Sequence, residues 1–186
     1  MKRTLHLKLM LSYVLFAAIA IIFLGTFTQG MADEYLIRHE AEQLYRESSL
    51  LASDYKGNLT SVTQPIPNIQ NELENISEYL NVEIWFIDAD GNFLLDSSNP
   101  NARYLAERGQ NLKIENFNIS DFGNTYYTTG NFYDCFEQDT LTVFSTITSN
   151  YKVQGYVLLH MPMEYALAQA NEIVDITSLS VLIILG

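Results

Sequence analysis

The sequence contains a single cysteine, Cys135, so no internal disulfide can form. This excludes the small secreted scaffolds that are held together by disulfides. Basic residues are also scarce: 10 Lys and Arg stand against 22 Asp and Glu, and the formal net charge is −12 at pH 7. Such an acidic surface repels phosphate groups and therefore argues against DNA or RNA as a partner.

Charged residues are missing altogether from Leu9 to Ala32. A run of about 20 apolar residues, rising about 1.5 Å per residue, is long enough to cross the hydrocarbon core of a bilayer. Three basic residues precede this run and acidic residues follow it, a distribution that places the N-terminus in the cytoplasm. The sequence therefore predicts a cytoplasmic N-terminus over residues 1–8 and a transmembrane helix over residues 9–30.

A cleaved signal peptide is the alternative explanation, since it also has a basic start and an apolar middle. Signal peptides have a shorter apolar core and small residues at the cleavage site, which Thr28-Gln29-Gly30 resembles only poorly. These differences favour an uncleaved anchor.

The last residues, 176–186, are again free of charge and mostly apolar. A helix of this length measures only about 16 Å, which is too short to span a bilayer. At the end of a globular domain it would leave an apolar surface exposed. We therefore interpret it as the truncated start of a second transmembrane helix in a longer protein. Residues 31–175 then form one extracytoplasmic domain at the cell membrane.

Two amphipathic helices are predicted at the start of this domain. The first begins at Asp33 and carries a stripe with alternating spacings of four and three residues: Ile37, Ala41, Leu44, Ser48 and Leu51. Such a stripe is typical of a helix packed on its own domain or of a coiled-coil seam, and continuity with the membrane helix favours a homodimer. The second helix places four apolar residues on one face: Ile69, Leu73, Ile76 and Leu80.

The stretch VEIWFIDADGNFLLDSS, from Val82 to Ser98, predicts a β-hairpin, because Asp-Gly between two apolar runs supplies the positive φ that tight turns need. Asp88, Asp90 and Asn92 also match the first, third and fifth positions of a calcium loop. However, the glycine falls at position four instead of six, and the acidic residue at position twelve is absent. A turn without a metal is expected.

Three more strands are predicted over residues 125–136, 139–149 and 153–163, after a short helix over residues 100–108. In the second strand, polar and apolar residues alternate from Thr140 to Ile147, which predicts an antiparallel strand with one buried face. A helix from Glu164 to Asp175 then leads to the second apolar segment.

The hairpin, the two flanking apolar segments and the closing strand pair LTVFSTITSNYKVQGYVLLHMPM resemble a known sensor family. This is the extracytoplasmic single Cache (PDC, PAS-like) sensor region of bacterial sensor histidine kinases. Gly155, near the start of the last strand, is part of the likeness, which covers nearly the whole chain. The resemblance implies an α+β fold in which a five-stranded antiparallel sheet packs on a long N-terminal helix, flanked by two transmembrane helices. It also implies a cytoplasmic histidine kinase that these residues do not contain.

The resemblance further implies a ligand site between the sheet and the loop before the third strand. There the sequence supplies Tyr126, Tyr127 and Asp134, with Arg103 on the preceding helix. Tyrosine offers an aromatic face and a hydroxyl, and Asp or Arg fixes a charged group. The expected small polar ligand is therefore an amino acid, an amine or a carboxylate. Plain packing is the alternative role for each residue, since buried aromatics mostly fill cores. Neither a cofactor nor a metal is expected.

No catalytic motif is found, because the three histidines are scattered and no Gly-rich phosphate loop, nucleophile elbow or His-Glu-x-x-His pair occurs. His39 is expected to face water or a partner. His160 lies in an apolar strand and is expected to be a hydrogen-bonded core or edge residue instead of a ligand. The residues present are therefore not an enzyme, and any kinase activity belongs to the longer protein.

Two functions from different classes remain. The first is a signal-receiving module that acts through its membrane helices on a histidine kinase of a two-component system or, less favoured, on a chemotaxis or cyclic-dinucleotide output. The second is a membrane-anchored adhesion or interaction protein that uses the same fold to bind a surface partner.

Overall fold

The computed structural model describes residues 2–55, 66–99 and 112–168. The elements of these ranges, in chain order, are α1 (Lys2–Asp54), α2 (Ile66–Leu80), β1 (Glu83–Asp88), β2 (Phe93–Asp96), a 3₁₀ turn (Ile119–Phe122), β3 (Tyr127–Gly130), β4 (Thr140–Ser149), β5 (Lys152–Pro162) and α3 (Met163–Ala166). The predicted short helix at 100–108 and the second apolar segment lie outside the described residues. Of the predicted exit helix, α3 is the described part.

The predicted membrane helix and the first helix of the domain form one continuous helix, α1. No proline interrupts this span, and Gly30 has no side chain or backbone atom near the space that a Cβ would occupy. The helical structure predicted for both segments is therefore confirmed. Across the part of the chain that the structure describes, no helix has both the length and the apolar character required to cross a membrane.

The five strands form one antiparallel sheet in the order β2-β1-β5-β4-β3. The last strand of the chain therefore lies at the centre, between β1 and β4. This arrangement confirms the predicted α+β fold with a five-stranded sheet packed on a long N-terminal helix. It also brings residues from β1 and β5, distant in sequence, into direct cross-strand pairs.

One face of the sheet packs against α1 and α2. Ala41, Leu44 and Leu51 of the predicted stripe are buried in this core, and the hydroxyl of Ser48 contacts Ser145 on β4 at 2.7 Å. The expectation that the stripe forms a dimer seam is therefore wrong, because the domain's own sheet covers it. A homodimer would need another surface.

The opposite face is covered as well, by the segment from Ile114 to Phe136. On β4 this buries Thr140 and Thr142, whereas the alternating pattern predicted that only the other face of the strand would be buried. The prediction was wrong on this point because hydroxyl side chains can be buried when they find hydrogen-bond partners, and both of these do.

The third strand is shorter than predicted, because the chain turns after Gly130. Phe132, Tyr133 and Asp134 all have positive φ angles, between 42° and 58°. Residues in this left-handed region cannot continue a strand. The left-handed turn is closed by bonds from the N–H of Cys135 to the carbonyl of Phe132 and from the N–H of Phe136 to that of Asn131.

The hairpin between β1 and β2 is confirmed, and its turn is held by the carboxylate of Asp88. One oxygen accepts from the N–H groups of Asp90 and Asn92 at 2.9 Å each, and the other accepts from the side-chain amide of Asn92 at 2.7 Å. Gly91 supplies the positive φ of 86°. Asp88 is therefore used to organise the turn.

Gly155 is predicted to be irreplaceable where β5 pairs with Asp88 of β1. A Cβ there would collide with the carbonyl oxygen of Ile87 and lie 3.1 Å from the Asp88 Cα, and backbone atoms cannot move aside cheaply. We expect Gly155→Ala to lower the free energy of unfolding by about 3 kcal/mol, measured by urea titration. Gly30→Ala is the control and should be neutral or stabilising, because alanine is the better helix former. A Gly155→Ala protein of unchanged stability would contradict the close approach.

Candidate functional site

The face of the sheet opposite α1 carries a buried apolar and aromatic layer. We call this the aromatic layer, and its buried members are Trp85, Ile87, Ile114, Phe122, Phe132, Tyr156 and Leu158. The strands contribute one half and the segment before and after β3 contributes the other. The ligand space that the resemblance implied between sheet and loop is thus largely filled by side chains.

An ionisable imidazole, that of His160, packs against this layer. His160 on β5 is 1% exposed, and its ring centroid lies 4.2 Å from that of Trp85, 4.7 Å from Phe132 and 4.9 Å from Phe136. Burial lowers the pKa of the His160 imidazole from 6.5 to about 3, because a charged ring would lose its hydration there. The ring is therefore neutral at physiological pH.

A chain of hydrogen bonds fixes one side of this ring. Nδ1 of His160 lies 2.9 Å from Oγ1 of Thr142, which lies 3.4 Å from Oγ1 of Thr140, and Thr140 donates its hydrogen to the carbonyl of Gly130 at 3.0 Å. Thr140 uses its only hydrogen in this bond, so we assign Thr142 as the donor in the long contact between the two threonines, and Nδ1–H of His160 as the donor to Thr142. In this assigned tautomer Nε2 carries a lone pair and acts as an acceptor.

Nε2 of His160 is buried and has no hydrogen-bond partner among the described residues. The expectation of a fully hydrogen-bonded core histidine is therefore met only at Nδ1. A buried polar atom without a partner costs about 1–3 kcal/mol, so natural proteins rarely retain one without a reason.

His160 also lines a cavity of about 360 Å³ at the end of β5, which we call the β5-end cavity. Its other lining residues come from the end of α2, from β1, from β4 and from the chain leaving β5; they are Ser77, Asn81, Val82, Glu83, Ser98, Phe136, Thr140, Pro162 and Tyr165. Pockets of this size are at the lower end of those that hold small molecules. The histidine that carries the unpartnered Nε2 therefore forms part of the cavity wall.

Glu83 is the direct cross-strand partner of His160. Its Oε1 accepts a hydrogen bond from the indole N–H of Trp85 at 2.8 Å. It also lies 2.8 Å from the hydroxyl of Ser98, whose single hydrogen has a second acceptor at the same distance, Oδ1 of Asp96. The indole N–H therefore orients the carboxylate at the wall of the cavity. The pairing places a carboxylate and an imidazole side by side on one face of the sheet.

A second cavity of about 230 Å³ lies at the edge of the sheet, beside β3. It is lined by Asp121, Phe122 and residues 128–133. The hydroxyl of Tyr133 donates to the Asp121 carboxylate at 2.6 Å, and burial together with this bond raises the pKa of Tyr133. Its walls are thus already joined to each other by hydrogen bonds.

The site residues predicted from sequence do not converge on either cavity. Tyr126 and Tyr127 are neighbours, with ring centroids 5.5 Å apart, and both pack against the core on the α1 side, where Tyr126 also contacts Tyr45. Asp134 is exposed in the left-handed turn and accepts from the side-chain amide of Asn131. Arg103 lies outside the described residues. A ligand-binding role for these four residues stays a prediction.

Sequence reasoning did not select Glu83 or His160 as ligand contacts. Each lies singly in an apolar strand, and only the pairing of β1 with β5 brings the two together. The available signal was an ionisable residue at a strand position that the apolar neighbours mark as buried, which calls for a partner.

The comparison with known proteins rests on fold. The sequence matches no protein-family model and no curated protein. The sensor domain of the V. cholerae histidine kinase DctB superposes with a TM-score of 0.51 at 16% identity, over 76% of this chain and 56% of that one. The ligand-binding domain of the Campylobacter jejuni chemoreceptor Tlp3, solved with L-valine, gives 0.46 at 13% identity, over 76% and 63%.

These likenesses concern fold and not sequence, and the chain spans roughly three-fifths of the length of the solved sensor domains that it matches. The PAS-like sensor fold inferred from the resemblance is confirmed by the DctB domain. The neighbours are sensor domains of a histidine kinase and of a chemoreceptor.

The neutral, buried His160 predicts a dependence of stability on pH. The imidazole pKa is lower in the folded chain than in the unfolded chain, so protonation favours unfolding and stability falls as the pH drops below about 6.5. Between pH 7 and pH 5, where most carboxylates stay charged, this group should cost about 2 kcal/mol, measured by urea titration. His160→Phe should abolish that part of the slope, and His39→Gln, at an exposed position, should leave it unchanged. Equal slopes in all three proteins would show that His160 is not buried neutral.

Proposed function

We propose that residues 31–175 are the extracytoplasmic sensor domain of a bacterial membrane receptor, and that the domain binds a small polar molecule in the β5-end cavity. The observation that carries this is the buried Nε2 of His160, which has no hydrogen-bond partner among the described residues and belongs to a side chain that lines the cavity. A ligand that fills the cavity supplies the missing partner. The DctB sensor domain, which shares the fold, supports this role.

The position of the β5-end cavity connects ligand binding to the segment through which the chain leaves the sheet. Pro162 and Tyr165, which line it, belong to the segment where the chain leaves the sheet. This segment is firmly attached: the N–H of Met163 donates to the carbonyl of Asp139 at 3.0 Å, and Ala166 is fully buried against the α1-side core. A ligand that changes the wall therefore also changes the position of α3, by the small interface shifts that bistable proteins amplify.

A histidine kinase is the output that we favour. A chemotaxis or cyclic-dinucleotide output is the alternative within the same class. A purely adhesive role is not favoured, because an adhesive surface needs no side chain with a buried, unpartnered nitrogen in the wall of a cavity. The ligand shifts the receptor between two states only by its difference in affinity for them, about 5.5 kcal/mol for a full switch.

Membrane attachment is part of the proposal. The uncharged run from Leu9 to Ala32 lies on α1, and Leu11, Phe16 and Ile19 there are 70%, 74% and 57% exposed. Large apolar side chains exposed in a row indicate contact with lipid or with another apolar surface. We propose that this part of α1 anchors the chain with the N-terminus in the cytoplasm, and that the receptor is a homodimer.

The anchoring proposal predicts the sidedness of cysteine labelling. In a Cys135→Ser protein, a membrane-impermeant maleimide should label Tyr79→Cys and Tyr151→Cys in cells whose outer layers have been made permeable, since both positions are highly exposed. Arg3→Cys is the matched control and should react only after lysis. Protection of positions 79 and 151 until lysis would contradict the topology.

The sensor proposal predicts that a library of small polar metabolites contains a compound that stabilises the 186-residue chain. At 100 times its Kd such a compound adds about 2.7 kcal/mol to the free energy of unfolding, which a thermal-shift assay detects. His160→Phe keeps an aromatic ring but removes Nε2, and should abolish the shift.

Substitutions of Tyr127 and Asp134, two ligand contacts predicted from the sequence, test the alternative location of the ligand site. If Tyr127→Ala or Asp134→Ala abolishes the shift and His160→Phe does not, the ligand binds at the β3 edge and the β5-end cavity is discarded. A screen in which no compound stabilises the chain contradicts direct sensing of a small molecule.

A further inference from the structure

We propose that the ligand of the β5-end cavity carries a protonated amine, held between the carboxylate of Glu83 and Nε2 of His160. This inference rests on the proposed function and adds the chemical class of the ligand. It follows from the charges, the hydrogen-bond acceptors and the aromatic rings at the cavity wall.

The wall of the β5-end cavity carries only negative charge among the described residues. Among the described residues that line the cavity, Glu83 is the only one that is charged at neutral pH. The donors that described residues offer to its carboxylate, the Trp85 indole N–H and the Ser98 hydroxyl shared with Asp96, both lie at Oε1. Oε2 therefore retains its capacity to accept, and an ammonium group beside it forms the charge-assisted hydrogen bond that carboxylates make most strongly.

The second acceptor is Nε2 of His160. In the tautomer that we assign from the hydrogen-bond chain through Thr142 and Thr140 to the Gly130 carbonyl, Nε2 is an acceptor, so its partner is a donor. An ammonium group has three donor hydrogens and can serve Glu83 and His160 together. A carboxylate ligand has no hydrogen to give at neutral pH, and it would meet the like charge of Glu83.

Aromatic rings complete the preference for a cation. Phe136 lines the cavity and stacks on Trp85, with ring centroids 5.2 Å apart and planes inclined by 14°. Tyr165 lines the cavity as well. The negative faces of such rings attract ammonium groups, most strongly where water is excluded. The excess of acidic residues over basic ones in the sequence also attracts cations to the domain from a distance.

The test uses size-matched probes on the 186-residue chain in nanodiscs. The probes are benzylamine, benzyl alcohol and benzoate, and the same three functional groups on a butyl chain. Trp85 is the only tryptophan of the chain, and it contacts three lining residues, Phe136, His160 and Glu83. We therefore expect its fluorescence to change when the cavity is occupied. We expect the amines to bind at least about tenfold more tightly than the alcohols, and the carboxylates to give no saturable change.

Variants separate charge from packing. Glu83→Gln should weaken amine binding by about tenfold or more and erase the preference over the alcohols, whereas Glu83→Asp should keep the preference because the charge remains. His160→Phe should weaken amine binding by about tenfold. Glu164→Gln removes one exposed acidic charge beside Tyr165 and is the control, with binding unchanged within about twofold. Urea titration of each variant establishes that it is folded.

The results of the probe experiment can contradict the amine proposal without contradicting the sensor proposal, which the metabolite screen tests. Tighter binding of the carboxylates than of the amines would overturn the amine class while leaving a sensor that binds small molecules. Amine binding that survives both Glu83→Gln and His160→Phe would overturn the assignment of these two residues. If no amine changes the Trp85 fluorescence, the cavity is not an amine site, and Nε2 is satisfied by solvent.

Discussion

The position of β5 at the centre of the sheet is the constraint on which the rest of the structure depends. It pairs with β1 on one side and β4 on the other, and both of its faces are covered, so every residue from Gly155 to Met161 is buried. At one end the strand passes so close to β1 that only glycine fits at position 155. At the other end it carries His160 and leads directly into α3. A strand held in this way moves as a unit with its neighbours, because close-packed interiors transmit displacement instead of absorbing it.

His160 violates the rule that buried polar groups are fully hydrogen-bonded, and it does so beside a cavity. A sequence selected for stability alone would favour an apolar side chain in that aromatic surrounding, since a well-packed apolar replacement avoids an unpartnered nitrogen. Proteins retain local violations of this kind mainly at functional sites. The hydrogen-bond chain to Gly130 also connects the imidazole to the left-handed turn at residues 132–134. That turn is another place where the backbone adopts a conformation of higher energy.

The likeness to the DctB sensor domain is one of fold, at 16% identity. Fold and site are separable in this way because a sheet packed on a helix can be specified by apolar periodicity, whereas a ligand is recognised by a few polar atoms in one place. The site in this chain must therefore be argued from its own residues. Glu83, His160 and the rings beside them carry that argument.

The sequence by itself determined the local elements: the stripe of α1, the apolar face of α2 and the Asp-Gly hairpin. Each follows from periodicity or turn chemistry within a few residues, and these signals survive without knowledge of the partner surface. Tertiary structure alone decided that the α1 stripe faces its own sheet, that both faces of β4 are covered, and that β3 ends at Gly130. It also decided the candidate site. Glu83 and His160 become neighbours only through the register of β1 against β5, and a single ionisable residue in an apolar strand gives no indication of which distant residue will lie beside it.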